Sequence, residues 1–564
     1  MNKKKKNIMS WIGVIAVLAL CNILSVYIHK RIDLTGDKRF TISEPVRKIL
    51  NETSDPVTIY LFLKGDLPSG FRMLGQSATE LLQEFKDFSK GSVHYKIVSP
   101  DEAVPGSTEI WADTLQAMNV LPINLTVQQK AGEESKYVYP AAAVVSAGKI
   151  IPVNLYSGTR SVITPNDLNQ AESMFEYKFA EAIHKLHQQT KPMVAYAIGN
   201  GEPTGAETYD LVENVLHPNY SVFTLDLEKE EAIPDTFKVL LLVKPSQKFS
   251  DEAKLKIDQY VMRGGKLLAF VDRLEAEMDS LQLGSRQVVA YDRNLGLQDL
   301  FFRYGVRINP DLIMDLQSDF LPFDVNNSGQ FELLHWNYFP LFQPNQDNVV
   351  TRNVGLVAGR FANSMDTVKA DGIKKTFLLG TSPNSRTIET PALISGAENR
   401  NAPVDAAFNR SNIPAAVLLE GKFTSLYRNR LSLEQLEAMN AAGTPFVPES
   451  ANENKMIMVS DGDIVLNSMY RAQPIPMGVN PFTIGTQYEY QFANRSFVEN
   501  CLAYLVNDAG LMAAKAKDFK LRLLDSKKVN AQKTLWQILS FVIPAFLILL
   551  AGGLYQVARN RKFR

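Results

Sequence analysis

At 564 residues the chain is longer than one compact core supports, so two or more domains are expected. Lysine plus arginine equals aspartate plus glutamate at 60 each, which leaves no bulk electrostatic reason to expect nucleic acid or an acidic substrate. The only cysteines are Cys21, inside an apolar stretch, and Cys501, so a disulfide framework is excluded.

A short tail, 1–7, carries Lys3 to Lys6. Residues 8–28 then run without an acidic or basic side chain, and so do residues 535–557. At about 1.5 Å per residue each run crosses a hydrocarbon core of roughly 30 Å. Buried core helices are usually shorter. A removed signal peptide would also explain the first run, and the residues from Leu18 to Cys21 approach a lipoprotein cleavage box. However, Leu20 stands where a small residue is needed, and the apolar run continues to Ile28. An anchor at each end is therefore expected. The tails 1–7 and 558–564, the latter with Arg559, Arg561, Lys562 and Arg564, place both termini in the cytoplasm and the body between them outside it. Lys30, Arg31 and the basic juxtamembrane segment 511–534 pull the other way. Large domains cross membranes regardless of charge, so the short tails carry more weight. Gly13, Ala16 and Ala19 belong to a series of small residues that suits contact with a partner helix, although ordinary anchor composition explains them as well.

Residues 29–190 are expected to form an N-terminal α/β domain. Ser43, Glu44 and Pro45 look like a helix start, 57–63 reads as a strand, and Leu74, Ala78, Leu81, Phe85 and Phe88 form a helical stripe. Strands follow over 93–98, 137–145 and 150–155, the last two around Ala147-Gly148-Lys149. Leu168, Ala171, Phe175, Phe179, Ala182 and Leu186 mark one long closing helix. This order is that of a thioredoxin-like fold, but no C-x-x-C is present and redox chemistry is not implied. His184 and His187 near the end of that helix read as complements to its dipole rather than as a metal pair. No metal site is expected.

Residues 191–510 read as a doubly wound, Rossmann-like (flavodoxin/amidotransferase-like) domain with an insertion at about 275–410. An apolar strand, 193–198, feeds the turn Gly199-Asn200-Gly201, and a helix follows with Tyr209, Val212 and Leu216 on one face. Further strands are expected over 221–225, 238–243, 266–271, 415–419 and 456–460. Ser250 caps a helix in the middle of this series, and 492–506 is the final helix, in which Cys501 reads as a small core residue.

In such sheets ligands collect at the carboxyl ends of the strands, which makes Gly199, Asn200, Gly201 and Glu202 the candidate ligand-binding residues. As a dinucleotide loop with Asp226 as the ribose acid, the stretch is flawed. Its spacing is G-x-G-x-x-x-G, Glu202 would repel a pyrophosphate, and Pro203 removes a donor. No nucleophile elbow and no phosphate loop occur, and no cofactor is expected. Asp272, Asp461 and Asp463 also fall at strand ends, with Glu202, so a carboxylate cluster is conceivable. Solvated or helix-capping acids are the plainer reading.

The two anchors, DLTGDKRFTIS after the first, GNGEPTG, GGKLLAFVD, IPAAVLLEGKFTS and MVSDGDIVLN together resemble the GldG family, the auxiliary subunits of a gliding-motility ABC transporter. The resemblance implies partnership with a membrane permease and a separate ATPase at the bacterial inner membrane, and a link to gliding or its associated secretion. It also implies that the second domain is shared with an intraflagellar-transport protein, as an interaction module without known catalysis. A non-enzymatic, periplasmic, doubly anchored auxiliary subunit is the expectation. The alternative is an extracytoplasmic receptor or hydrolase using a cleft at 199–205.

Overall fold

The computed structural model describes residues 41–516, apart from 54, 66, 119, 130–131, 157–164, 189, 279–286, 325–328, 396–404 and 507–509, together with residues 526–562 and, earlier, Gly13 and Val17. The chain divides into two compact units, Met1–Lys517 and Asp518–Arg564. It is a mixed α/β protein with one apolar C-terminal helix.

The first unit begins with helix α1, Glu44–Glu52, started by Pro45 in its first turn, where a missing N–H costs nothing. Ser43 precedes it, but its side chain makes no capping hydrogen bond. Strands β1, Val57–Leu61, and β2, Val93–Ile97, run parallel, with helix α2, Ser69–Phe88, in the crossover between them. Ala141–Ser146 (β3) and Lys149–Asn154 (β4) form a hairpin, and β3 lies antiparallel to β1, so the sheet order is β2-β1-β3-β4. The hairpin turns on Ala147 and Gly148, both with positive φ, the geometry that matches the twist of paired strands. The strand expected over 137–145 is interrupted at Tyr139-Pro140. Val138 ends one hairpin arm, Pro140 supplies no ladder N–H, and β3 begins at Ala141. The closing helix is likewise two pieces, Pro165–Ser173 (α3) and Phe175–His187 (α4), with Met174 between them.

Alternation sorts these strands into two cores. Ile59, Leu61, Ala142 and Val144 face α1, α2 and α4 through Leu50, Leu74, Phe85 and Phe179. Tyr60, Phe62, Ala141 and Ala143 face Trp111 on the other side. Within the expected α2 stripe Leu74, Ala78 and Phe85 are buried, while Phe88 at the helix end is 39% exposed.

The larger sheet starts with five parallel strands: Met193–Ile198 (β5), Ser221–Asp226 (β6), Val239–Val243 (β7), Lys266–Phe270 (β8) and, much later, Asn454–Val459. Before that last strand come Ser318–Phe323 (β9), Glu332–Pro344 (β10), Ile373–Gly380 (β11) and Pro414–Gly421 (β12), which makes Asn454–Val459 β13. The order is β9-β10-β11-β12-β13-β8-β7-β5-β6. Every residue of β7 is buried, as its unbroken VLLLV run requires of a central strand. Val194, Tyr196, Leu241 and Leu268 pack on helix α6, Asn494–Val506, and on the helical stretch before β6. Ala195, Ala197, Leu240 and Leu242 pack on helix α5, Asp251–Met262, on the opposite face.

Two expectations change here. Tyr209, Val212 and Leu216 do not share the buried face: the stretch Asp210–Leu216 is a π-helix, whose wider turn buries Leu211, Val215 and Leu216 and leaves Tyr209 exposed. Strand β12 belongs to the sheet but runs antiparallel to β13. The helix between them, Leu433–Ala441, buries no residue, so it does not form the packed crossover that a parallel return needs. The stretch expected as an insertion, about 275–410, carries strands of its own, and β9, β10 and β11 extend the same sheet.

After α6 a 3₁₀ turn, Leu511–Ala516, returns to the N-terminal body, where Leu511, Met512 and Ala514 are buried in its core. These three residues, expected at the start of a basic juxtamembrane segment, are held in the core by their apolar side chains.

The second unit contains the helix Ser526–Gln537, a π-helical turn Ile538–Val542 and the helix Ile543–Lys562. Gln532–Lys562 is long and apolar enough to cross a membrane. The π-turn precedes Pro544, whose ring would otherwise meet the carbonyl of Ser540. Of the expected first anchor, Gly13 and Val17 have helical backbone and are exposed. Ala16 and Ala19 lie outside the described residues.

Candidate functional site at the carboxyl edge of the sheet

The parallel strand order puts β5 between β6 and β7, so the chain leaves β5 in one direction and returns on its other side. A crevice at the carboxyl ends of β5 and β7 is the place where such sheets bind ligands. The turn 199–205 fills it. Gly199 and Gly201 have φ of 113° and 78°, and a Cβ at Gly201 would stand 2.1 Å from Ser246 Oγ. Asn200 is buried, and its carbonyl accepts from the N–H groups of Ser246 and Gln247 at 3.0 and 2.8 Å. Its side-chain amide donates to Glu228 at 3.0 Å, and Glu228 also accepts from Ser250 Oγ at the start of α5.

Glu202 folds back over this turn. Its Oε2 accepts the Asn200 N–H at 2.7 Å, the donor a bound anion would otherwise take. Burial raises its carboxyl to about 7, against the opposing pull of the N–H groups of Glu202 and Asn200, and Asp226 and Glu228 add to the rise. The loop is thus closed by its own carboxylate. Asp226 does reach Gly199, as its place at the end of β6 suggested, but it pairs with Lys229 at 2.7 Å.

The other strand-end acids do come together, without Glu202. Lys244, directly after β7, extends its ammonium to Asp463 at 2.8 Å, Glu277 at 3.0 Å and Asp272 at 3.5 Å. Burial pulls its pKa down, but the charges of Asp463, Asp272 and Glu277 outweigh that and hold it well above the usual lysine range. Its φ of 40° is a left-handed conformation unusual for a side chain of this kind. Arg293 holds Glu277 from the other side. Asp461 is fully buried, accepts from the N–H groups of Arg360 and Asp463, and has its pKa pushed well above the usual carboxylate range by burial and by the charges of Asp272 and Asp463. Gly462, between the two acids, leaves room for the Lys244 stem, which a Cβ would meet at 2.6 Å. A cavity of about 20 Å³ beside Asp463 and Arg360 has room for roughly one water. These groups neutralise one another and join the ends of β7, β8 and β13. Lys244 was missed in the sequence; a lone cation closing an apolar strand, opposite strand ends that close in aspartates, was the available signal.

On the sheet's helical face Asp210 is also buried, in an ion pair with Arg495 and hydrogen-bonded to the N–H of Met477 at 2.8 Å. His184 and His187 occupy the last turn of α4, where His187 Nδ1 meets the Ile183 carbonyl at 2.8 Å. Cys501 is a free, buried core residue. Among the described residues no group of three or more His, Cys, Asp or Glu side chains is arranged to hold a metal ion.

The fold and its apolar C-terminal helix define a membrane-associated α/β protein whose strand-end charges satisfy one another. Residues 191–501, more than half of the chain, match the profile of the ABC-type uncharacterized transport system family, and the chain belongs to that family of auxiliary components. Residues 36–145 match a domain of unknown function. An uncharacterized protein of Borreliella burgdorferi is 22% identical over 97% of this chain and 96% of its own length. Among solved structures the mmIFT52 N-terminal domain is similar at a TM-score of 0.30 and 11% identity, over 56% of this chain and 98% of that one.

Proposed function

We propose that the chain is a non-catalytic auxiliary subunit that acts by protein–protein interaction within an ABC transport complex, beside a membrane permease and a separate ATPase. The observation that carries this is the closed turn at 199–202. The Asn200 N–H and carbonyl and the Glu202 Oε2 are engaged within the turn and by the loop after β7, while Asn200 Oδ1 and Glu202 Oε1 are buried without a partner among the described residues; the engaged groups support a structural role for the turn. The sheet order supports a doubly wound second domain, and the β2-β1-β3-β4 order supports a thioredoxin-like first one. We place the body in the periplasm with both tails cytoplasmic, on the basic ends of the chain, and Gly13, Ala16 and Ala19 against a partner helix. The resemblance to the GldG family supports a link to gliding motility and its associated secretion.

The test is purification of the full-length protein from its native membrane in mild detergent. A polytopic permease and a Walker-type ATPase should copurify, and ATP hydrolysis should leave with the ATPase when the complex is split. Hydrolysis by the isolated chain, or crosslinking in cells only to itself, refutes the reading. For topology, a reporter active only in the cytoplasm should work after Arg564 and be silent near Gly148. The reverse pattern overturns the placement.

A further inference from the structure

A second cavity lies away from the carboxyl edge, within the first unit, where the N-terminal body meets the larger sheet. It has a volume of about 600 Å³ and is lined by β4, α3, α4, the end of the π-helix and α6. This is the size of a small-molecule site. Its walls are mixed, with apolar side chains and tyrosines between charges of both signs.

Two polar groups in this cleft have capacity to spare. Lys178, on α4, retains accessible surface there, and its ammonium donates one hydrogen bond, to the Asn154 carbonyl at 2.6 Å. An ammonium has three donors. Among the described residues it has no carboxylate in ion-pair contact, and burial lowers its pKa to about 8 despite the charges of Glu499 and Glu181. The Tyr220 hydroxyl, among the described residues, has no hydrogen-bond partner, and burial together with Glu181 and Glu499 suppresses its ionisation. The neighbouring cations are engaged: Lys185 with Glu181 at 3.0 Å and Asn219 at 2.8 Å, and Arg495 with Asp210. Lys178 and Tyr220 thus offer donors to an anion, while the carboxylates of Glu181, itself paired with Lys185, and Glu499 line the adjoining wall.

The cleft also borders the free edge of β4, but that edge resists a further strand. In the antiparallel pairing with β3, Pro152 and Asn154 point their backbone outward. Pro152 has no N–H to offer, and Lys178 already covers the Asn154 carbonyl. A compact occupant fits better than an extended one.

We propose that this cleft binds a small zwitterion, an amino acid or the carboxyl-terminal end of a short peptide, with its carboxylate on Lys178 and Tyr220 and its ammonium toward Glu181 and Glu499. Binding there bridges the two bodies of the first unit. The inference is independent of the partner reading above, since neither the permease nor the ATPase enters it.

The test uses the full-length protein in detergent, screened by thermal shift and then calorimetry against the free amino acids and a set of di- and tripeptides. At least one compound should raise the melting temperature, and its carboxyl-terminal amide and N-acetylated form should bind more weakly. Free amino acids and peptides separate the two sources of the same chemistry. Lys178→Gln and Tyr220→Phe should each weaken binding by roughly tenfold or more. Tyr220→Phe keeps the ring, so if Lys178→Gln fails to fold the hydroxyl deletion decides alone. The proposal is wrong if no compound binds, if the amide binds as well as the acid, or if Tyr220→Phe binds like the parent protein.

Discussion

Glu202 keeps its proton into the neutral range because burial opposes its charge, and this gives the protein a pH dependence of known sign. Between the ordinary value of 4.5 and about 7 the native state holds a proton that the unfolded chain has released. Stability therefore falls as pH rises through that window. Glu202→Gln removes the effect, so the difference in unfolding free energy between variant and parent should grow in the variant's favour from pH 5 to 8, by up to about 3 kcal/mol. Denaturant titrations of both proteins across that range measure it, and motility or transport should survive the change. Gly201 is constrained differently. Gly201→Ala places a Cβ against Ser246 Oγ at a left-handed φ and should cost about 1–3 kcal/mol. In a Ser246→Gly background the steric part should vanish and the φ part remain. Equal costs in both backgrounds would show that Ser246 is not the obstacle.

At the scale of elements, the ends of β7, β8 and β13 are joined by Lys244 among Asp272, Asp463 and Glu277. Lys244→Met leaves buried carboxylates without their cation and should destabilise by about 3–5 kcal/mol at pH 7. Protonation relieves the uncompensated acids, so the variant should regain part of that loss as pH falls toward 5. A loss that is flat with pH would mean that the cluster contributes by packing alone. The strands themselves were legible: the apolar runs of β5, β7, β8 and β13 are short, bounded by glycine or charge, and stand where their patterns put them. The π-helix was not, because a 3.6-residue period assumed for Tyr209, Val212 and Leu216 cannot register a wider turn. Nor was the reach of the sheet, since β10, β11 and β12 join across long intervening stretches and nothing local fixes that register. The candidate loop was found from its glycines. Its closure by Glu202 depends on a side-chain direction that residue types do not specify.

For the molecule as a whole, the turn Leu511–Ala516 ties the end of the larger domain to the core of the first. Leu511→Ala removes a fully buried side chain from that core and should cost about 2–5 kcal/mol. The same substitution at Leu433, which is 76% exposed, should be close to neutral, and comparison of the two melting temperatures checks both. This tie was hidden in the sequence by the lysines around it, which made 511–534 look uniformly basic.

The placement of that turn has a mechanical consequence. It packs against both α1 and α4, so the start and the finish of the folded body lie side by side. In a protein held by a tether at each end, as proposed here, tension enters and leaves through this junction. The load path is a few residues long and passes α1 and one 3₁₀ turn, while the larger sheet hangs beside it under no strain. Pulled in an optical trap by its two ends, the body should first yield by peeling away its seam, and the sheet should rupture only in a later, stronger event.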